Sequence, residues 1–287
     1  MREIIVHRKP WERENRDHHA PDLEGINESV MLRDGDTGKI IAIQYVFTDE
    51  EDGDTRRELM RYLRYGKVFA NKKKAGKQSG MRLSGMMYES EVFGYTAPVK
   101  IRRRFATSAS RLNQQRPEIA ELLDRTTRTL WEKLKELTPE CSAEHEQIIK
   151  DSILEDWWIA GAPYTSGIIN NTAALPYHKD SRNVPNSWSM MLCLRKHVGG
   201  GGLDLPEYGV TFGIPDNSVT FFDGQSTWHG VTPLHFTRPD SCRFTLVWYA
   251  KMDIQGSVSR EEEMKQAKYL ATINEAGEAR RREKPAG

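Results

Sequence analysis

The chain has 287 residues, 38% hydrophobic and 29% charged, which is enough apolar material for one large core or two small ones. Its formal net charge of +1 argues against nucleic-acid binding through bulk charge alone. No stretch reaches the roughly 20 apolar residues of a membrane span, the opening MREIIVHRKPWEREN is too charged for a secretory signal, and Cys141, Cys193 and Cys242 form no C-x-x-C. A soluble, non-secreted protein with neither a disulfide framework nor a cysteine-based zinc site is therefore expected.

In chain order, Asp54 ahead of TRRELMRYLRY, with Gly66 after it, predicts a short helix capped by Asp54. The stretch NKKKAGKQSGMRLSG, residues 71–85, then brings five basic residues and no acidic one: Lys72, Lys73, Lys74, Lys77 and Arg82. VKIRRRF, residues 99–105, adds four more. A solvated loop and a phosphate-contacting segment both fit these clusters, since each Lys or Arg that meets a phosphate releases counterions. From Pro117 to Leu137, the positions Ile119, Leu122, Leu123, Thr126, Leu130, Leu134 and Leu137 recur every three or four residues, predicting an amphipathic helix that braces a sheet.

After residue 163 the texture changes to short β-rich runs, TSGIIN, WSMMLCLR, YGVTFGI, NSVTFFD and CRFTLVWYA, separated by Gly, Pro, Asn and Asp. Such runs predict a sandwich or barrel. The tail returns to helix at Ser259, with Glu262 as its capping-box partner, and ends in RRREKPAG, whose composition predicts disorder. With no repeat and no linker, one domain is expected: a helical and basic region over 1–110, a supporting helix and β core over 111–255, and a helix and tail over 256–287.

Chemistry concentrates in the β-rich part. His178 and Asp180, two apart on an extended segment, project from one face, and His229 follows 51 positions after His178. Two imidazoles and one carboxylate suit one face of an octahedral iron(II) ion, leaving positions open for a bidentate co-substrate and oxygen. An exposed His-Asp pair and a turn histidine are the plain alternatives. A further element weighs against them: Arg243, 14 residues beyond His229, alternates with Thr245, Val247 and Tyr249 onto one face of a predicted strand. A buried arginine needs an anionic partner, because an unpaired buried charge is costly. The distal carboxylate of 2-oxoglutarate would supply one through two parallel hydrogen bonds, with the Thr245 hydroxyl adding another. A structural ion pair is the alternative for Arg243.

The order H-x-D, H, R-x-T resembles the iron(II) and 2-oxoglutarate-dependent dioxygenases, which implies a mainly β fold with flanking helices around a double-stranded β-helix, or jelly-roll, core. The run GGGGLDLPEYG suits that core, since glycine permits a sharp bend beside the pocket. HKDSRN, NSWSMMLCLR, FDGQSTWHGVTP and RFTLVWY, with FGYTAPVKIRRRF and TSGIINN ahead of them, are similar to the ten-eleven translocation and base J-binding-protein group. This likeness covers about residues 90–252. It implies Fe(II), 2-oxoglutarate and O2 as cofactor and co-substrates, with ascorbate as a stimulant, and His178, Asp180 and His229 as iron ligands, with Arg243 and Thr245 clamping 2-oxoglutarate. It also implies DNA carrying a 5-methylpyrimidine as partner, 5-methylcytosine ahead of thymine, the target base being flipped from the stack.

The resemblance further makes Asn183 a base-edge contact offering both a donor and an acceptor, and Tyr249 an aromatic that stacks on the base. A turn-forming Asn and a core aromatic are their alternatives. Lys251 stands where animal members carry a base-contacting histidine. The cysteine-rich zinc-binding region of those members is absent, as in compact viral, bacterial or protist relatives. A monomer is expected, in the cytoplasm of a prokaryotic or phage-infected cell or in a eukaryotic nucleus. Two competing readings are a same-fold oxygenase of proteins or small metabolites and a non-catalytic metal-binding cupin.

Overall fold

The computed structural model describes residues 1–11, 19–66, 68–69, 72–73, 88–99, 105–172 and 174–282. Lys74, Lys77, Arg82, the basic residues of VKIRRRF and the last five residues of the RRREKPAG tail lie outside the described residues. The first part of the chain contributes β1 (Arg2–Val6), β2 (Val30–Asp34), β3 (Ile40–Val46), helix α1 (Asp49–Tyr65), β4 (Lys72–Lys73), β5 (Tyr88–Thr96) and β6 (Ser108–Ala109). Helices α2 (Arg111–Gln115), α3 (Pro117–Leu137) and α4 (Pro139–Lys150) follow. Next come β7 (Ser166–Asn171), β8 (Ser189–Lys196), β9 (Val198–Gly200), β10 (Leu203–Leu205), β11 (Val210–Phe212) and β12 (Ser218–Phe222). The last elements are β13 (Gly230–Val231), β14 (Leu234–Phe236), β15 (Cys242–Tyr249) and helix α5 (Arg260–Arg282).

Ten strands form the main sheet, in the order β1-β2-β3-β12-β8-β15-β7-β5-β4 with β6 on β5. Only the outermost β1–β2 pair is parallel among the described strands. Period-two alternation along β8 and β15 gives the sheet two buried faces. Met190, Leu192 and Leu194 join Phe244, Leu246 and Trp248 against Ile119, Leu122, Leu130 and Leu134 of α3. Met191 and Cys193 face the other way, onto Leu203, Leu205 and Phe212 of the small sheet β11-β10-β13. The main sheet, the small sheet and the flanking helices make the fold mainly β with a double-stranded β-helix core, and α3 occupies the predicted span.

Two expectations are corrected. The region 1–110, expected to be helical and basic, contributes six strands to the main sheet; β3 pairs with β2 on one side and with β12 on the other, Ile43 lying opposite Phe221, so one of its two partners comes from late in the chain. Helix α1 starts at Asp49, five residues before Asp54: Thr48 is its N-cap, the Glu51 N–H donates to Thr48 Oγ1 at 3.3 Å, and the Thr48 N–H donates to Glu51 Oε2 at 2.9 Å. This reciprocal capping box satisfies two backbone donors, whereas capping at Asp54 would leave Asp49 to Gly53 out of the helix.

Helix α4 was not foreseen, and it carries a fully buried histidine. His145 Nδ1 accepts the Trp188 N–H at 3.0 Å, so Nε2 carries the proton and donates to the Pro163 carbonyl at 3.1 Å. Burial pushes the His145 pKa down from 6.5 to about 4. Its folded pKa lies below its unfolded one, so the associated stability is complete above about pH 6.5 and is lost as pH falls toward 4, by about 3 kcal/mol. His229, also shifted to about 4, adds a similar loss in the metal-free protein. Urea denaturation of metal-free protein at pH 7 and pH 4.5 should show the loss, and His145→Gln should remove about half of it. An undiminished difference would assign the effect to other groups.

Candidate active site

Two extended segments, residues 175–180 and 223–231, bring the predicted triad together. The His178 N–H donates to the His229 carbonyl at 2.9 Å and the His229 N–H returns to the His178 carbonyl at 3.1 Å. Residues directly opposite across such a pair send their side chains to the same face, and the two imidazole centroids lie 4.2 Å apart. Each ring is fixed by the carbonyl two residues before it. His178 Nδ1 donates to Pro176 O at 2.8 Å, and His229 Nδ1 donates to Thr227 O at 2.9 Å, leaving both Nε2 atoms as free electron-pair donors.

Asp180 is held on the same side by its N–H, which donates to Gly224 O at 2.8 Å, and its Oδ1 lies 3.7 Å from His178 Nε2. One potential ligand atom from each of His178, Asp180 and His229 lies within 4.8 Å of the others. Burial, with His178 alongside, pushes the His229 pKa down to about 4, so the imidazole is neutral and available to a metal at physiological pH. The donor set suits a divalent ion with open coordination positions. Gly224 makes room for the carboxylate: a Cβ there would sit 2.6 Å from Asp180 Oδ2. Gly224→Ala should therefore turn Asp180 away and weaken Fe(II) or Co(II) binding by about 10- to 100-fold, the range seen when groups supporting metal ligands are removed. Unchanged affinity in a metal titration would show that the carboxylate reaches the ion without that space.

Arg243 lies on the pocket face of β15, as its alternation with Thr245, Val247 and Tyr249 predicts. It is 1% exposed, yet no carboxylate pairs with it among the described residues. Nη2 donates to Gly201 O at 2.8 Å, while the buried Nε has no partner. Gly201, at φ 66°, belongs to the glycine run expected to approach the pocket, and a Cβ there would come within 3.0 Å of Arg243 Nε. Burial pushes the Arg243 pKa down, but a guanidinium stays charged. Arg195, opposite Arg243 in the β8–β15 register, donates instead to the carbonyls of Gly213, Ile214 and Val198. A buried cation with an orphaned donor fits a carboxylate-bearing co-substrate.

A cavity of about 510 Å³ joins these groups: the triad, Arg243, Thr245, Asn183, Tyr249 and Lys251 all line it. Asn183 is stitched to the strand end by Val184 N–H to Ala250 O, 2.9 Å, and Met252 N–H to Arg182 O, 3.0 Å. One expectation narrows here. Asn183 Nδ2 is directed at Asp180 Oδ2, 3.3 Å, and Ser189 Oγ, 3.2 Å, so the amide presents an acceptor, Oδ1, to a ligand rather than a donor and an acceptor. Lys251 Nζ, 3.4 Å from Asp253, supplies a donor. Burial, with Asp180 near, pushes the Tyr249 pKa up and keeps its hydroxyl protonated. Lys72 and Lys73 form edge strand β4, in register with Glu89 and Tyr88 of β5. Ser90 and Asn170, which sequence reasoning missed, continue the row begun by Thr245 across the β15–β7–β5 register and line the same cavity. Asn170 carried a local signal, a polar residue in the apolar run TSGIIN; Ser90 carried none.

Residues 94–252 match the Tet_JBP family, described as the oxygenase domain of the 2OGFeDO superfamily. The chain belongs to the Tet_JBP family. It is an oxygenase of a superfamily that uses 2-oxoglutarate and Fe(II). This Tet_JBP protein shares its fold with "NgTET1 in complex with 5mC DNA", with a TM-score of 0.57 at 13% identity, over 87% of this chain and 88% of that one. Looser likenesses are to JOX2 in complex with 2OG, Fe and JA, at TM-score 0.43 and 12% identity over 73% of this chain and 67% of that one, and to a 2OG-Fe(II) oxygenase family protein from Burkholderia pseudomallei, at TM-score 0.44 and 11% identity over 76% and 88%. No curated protein matches the chain. Among the described residues no helix of the Tet_JBP protein is long and apolar enough to cross a membrane.

Proposed function

We propose that this Tet_JBP oxygenase hydroxylates the 5-methyl group of a pyrimidine in DNA, converting 5-methylcytosine to 5-hydroxymethylcytosine. The observation that carries the reading is the single cavity in which the triad and Arg243 meet the polar and aromatic groups of Asn183, Tyr249 and Lys251. Likeness of fold to the complex of NgTET1 with 5mC DNA supports it.

In this reading His178, Asp180 and His229 hold Fe(II), and Arg243 with Thr245 binds the distal carboxylate of 2-oxoglutarate. When bound, this pair supplies with O2 the oxidant for a methyl C–H bond, 2-oxoglutarate leaving as succinate and CO2. The chain's own work is placement. Asn183 Oδ1 accepts from an exocyclic amine, Lys251 donates to a ring acceptor, and the Tyr249 ring stacks on a flipped base, a contact of about 1–3 kcal/mol. Lys72, Lys73, Lys74, Lys77 and Arg82 contact phosphates, which position the strand without reading it.

Asn183→Ala, assayed at saturating Fe(II) because the Asn183 Nδ2 contact to Asp180 Oδ2 is also removed, should cut base oxidation by about tenfold, as expected from leaving one buried donor unpaired, while 2-oxoglutarate is still consumed. Nucleoside mass spectrometry after incubation with 5-methylcytosine DNA and with thymine-containing DNA, side by side, tests the reading. 5-Hydroxymethylcytosine supports it, hydroxymethyluracil moves the protein to thymine, and neither product alongside continued succinate formation on a protein or metabolite would overturn the DNA reading.

A further inference from the structure

The histidine-bearing segments meet through a short ladder whose inner face carries His178 and His229. Its outer face carries Tyr177 and Trp228, the residues immediately before the two histidines. Tyr177 lies across Gly230, where a Cβ would come within 2.7 Å of the ring, and its hydroxyl donates to the buried Asp204 Oδ2 at 2.6 Å. The outer face is closed by the N-terminal arm. The Trp11 ring centroid lies 4.8 Å from that of Tyr177 and 5.0 Å from that of Trp228.

The arm is fastened at a second point. Arg8 donates through Nε, 3.1 Å, and Nη2, 2.6 Å, to Glu207 Oε1, and the Lys9 N–H donates to Glu207 O at 2.7 Å. The other carboxylate oxygen of Glu207 accepts the Trp228 N–H at 2.9 Å, one residue before His229. The Glu207 side chain is 8% exposed, and Arg8 is its ion-pair partner. Strand β1, paired along its length with β2, fixes where the arm begins. Trp11 and the Arg8–Glu207 pair thus act on both histidine segments from behind, without facing the cavity.

We propose that Trp11 and the Arg8–Glu207 pair are positioning residues for the metal centre, holding the two imidazoles at ligand separation. The proposal rests on the assignment of His178, Asp180 and His229 as metal ligands. A side chain that only covered apolar surface would affect stability; one that sets the ladder's geometry affects metal affinity in protein that is still folded.

Co(II) titrated into the full-length chain, followed by its d–d absorption, separates the two roles. Trp11→Ala should raise the apparent Co(II) dissociation constant about tenfold or more, the range found for groups that orient ligands, and should change the band shape, while the metal-free variant still unfolds in one cooperative transition. Trp11→Phe should restore wild-type affinity, and Glu207→Gln, which keeps an acceptor for Trp228 but loses the charge facing Arg8, should fall between. Wild-type Co(II) affinity in Trp11→Ala, or a loss no larger than its unfolded fraction at the assay temperature, would overturn the positioning role. No saturable Co(II) binding by the wild-type chain would overturn the ligand assignment and this proposal together.

Discussion

Arg243→Met should make the metal-free protein more stable and unable to hold 2-oxoglutarate. Arg243 carries a full charge at 1% exposure, donates to one backbone carbonyl, and has no carboxylate partner among the described residues. The Gly201 carbonyl offsets the desolvation of that charge only in part. Replacing buried charge by a well-packed apolar side chain is neutral or stabilising by about 1–4 kcal/mol. Losing a buried charge-assisted contact to the ligand costs about 2–5 kcal/mol, or roughly 30- to several-thousand-fold in affinity. Thermal unfolding with and without 2-oxoglutarate reads both effects: the wild type should gain melting temperature from the ligand and the variant should not. A variant that melts lower than wild type, or keeps the ligand-induced rise, would remove Arg243 from this role.

His178→Ala, Asp180→Ala and His229→Ala should each reduce succinate formation to background while leaving the fold in place. The reason for the intact fold is specific. The ladder between the histidine segments is made by backbone groups, and Asp180 is anchored through its own N–H, so alanine retains each of these bonds. What is lost is one of three donors to a single ion, and the remaining two leave too few to retain it. Circular dichroism together with a succinate assay distinguishes this from unfolding, and a variant with full turnover would not be a ligand.

The elements legible in the sequence are those with a local period. β15 was readable because one arginine in a run of alternating apolar residues declares a face, and the structure puts Arg243, Thr245, Val247 and Tyr249 on the cavity wall with Phe244, Leu246 and Trp248 behind them. His178 and Asp180 were readable for the same reason, and α3 from its three-to-four spacing. The N-terminal strands were not: REIIV and VMLRD are short apolar runs with charge at one end, and β3 gains one of its two neighbours from β12, far along the chain. The start of α1 was hidden because Asp54 also offers a capping side chain, and only the folded chain shows Thr48 and Glu51 capping one another. Trp11, Glu207, Ser90 and Gly224 carry no local pattern at all. Their roles come from contacts with segments remote in sequence, so only the folded chain reveals them.

The fate of labelled oxygen decides whether the 5-methyl group of this base is what the protein oxidises. With 18O2, Fe(II), 2-oxoglutarate and DNA containing 5-methylcytosine, one labelled atom should appear in succinate and one in 5-hydroxymethylcytosine, both detected by mass spectrometry. Label in succinate with the nucleosides unchanged would show an oxygenase that acts on something other than this base.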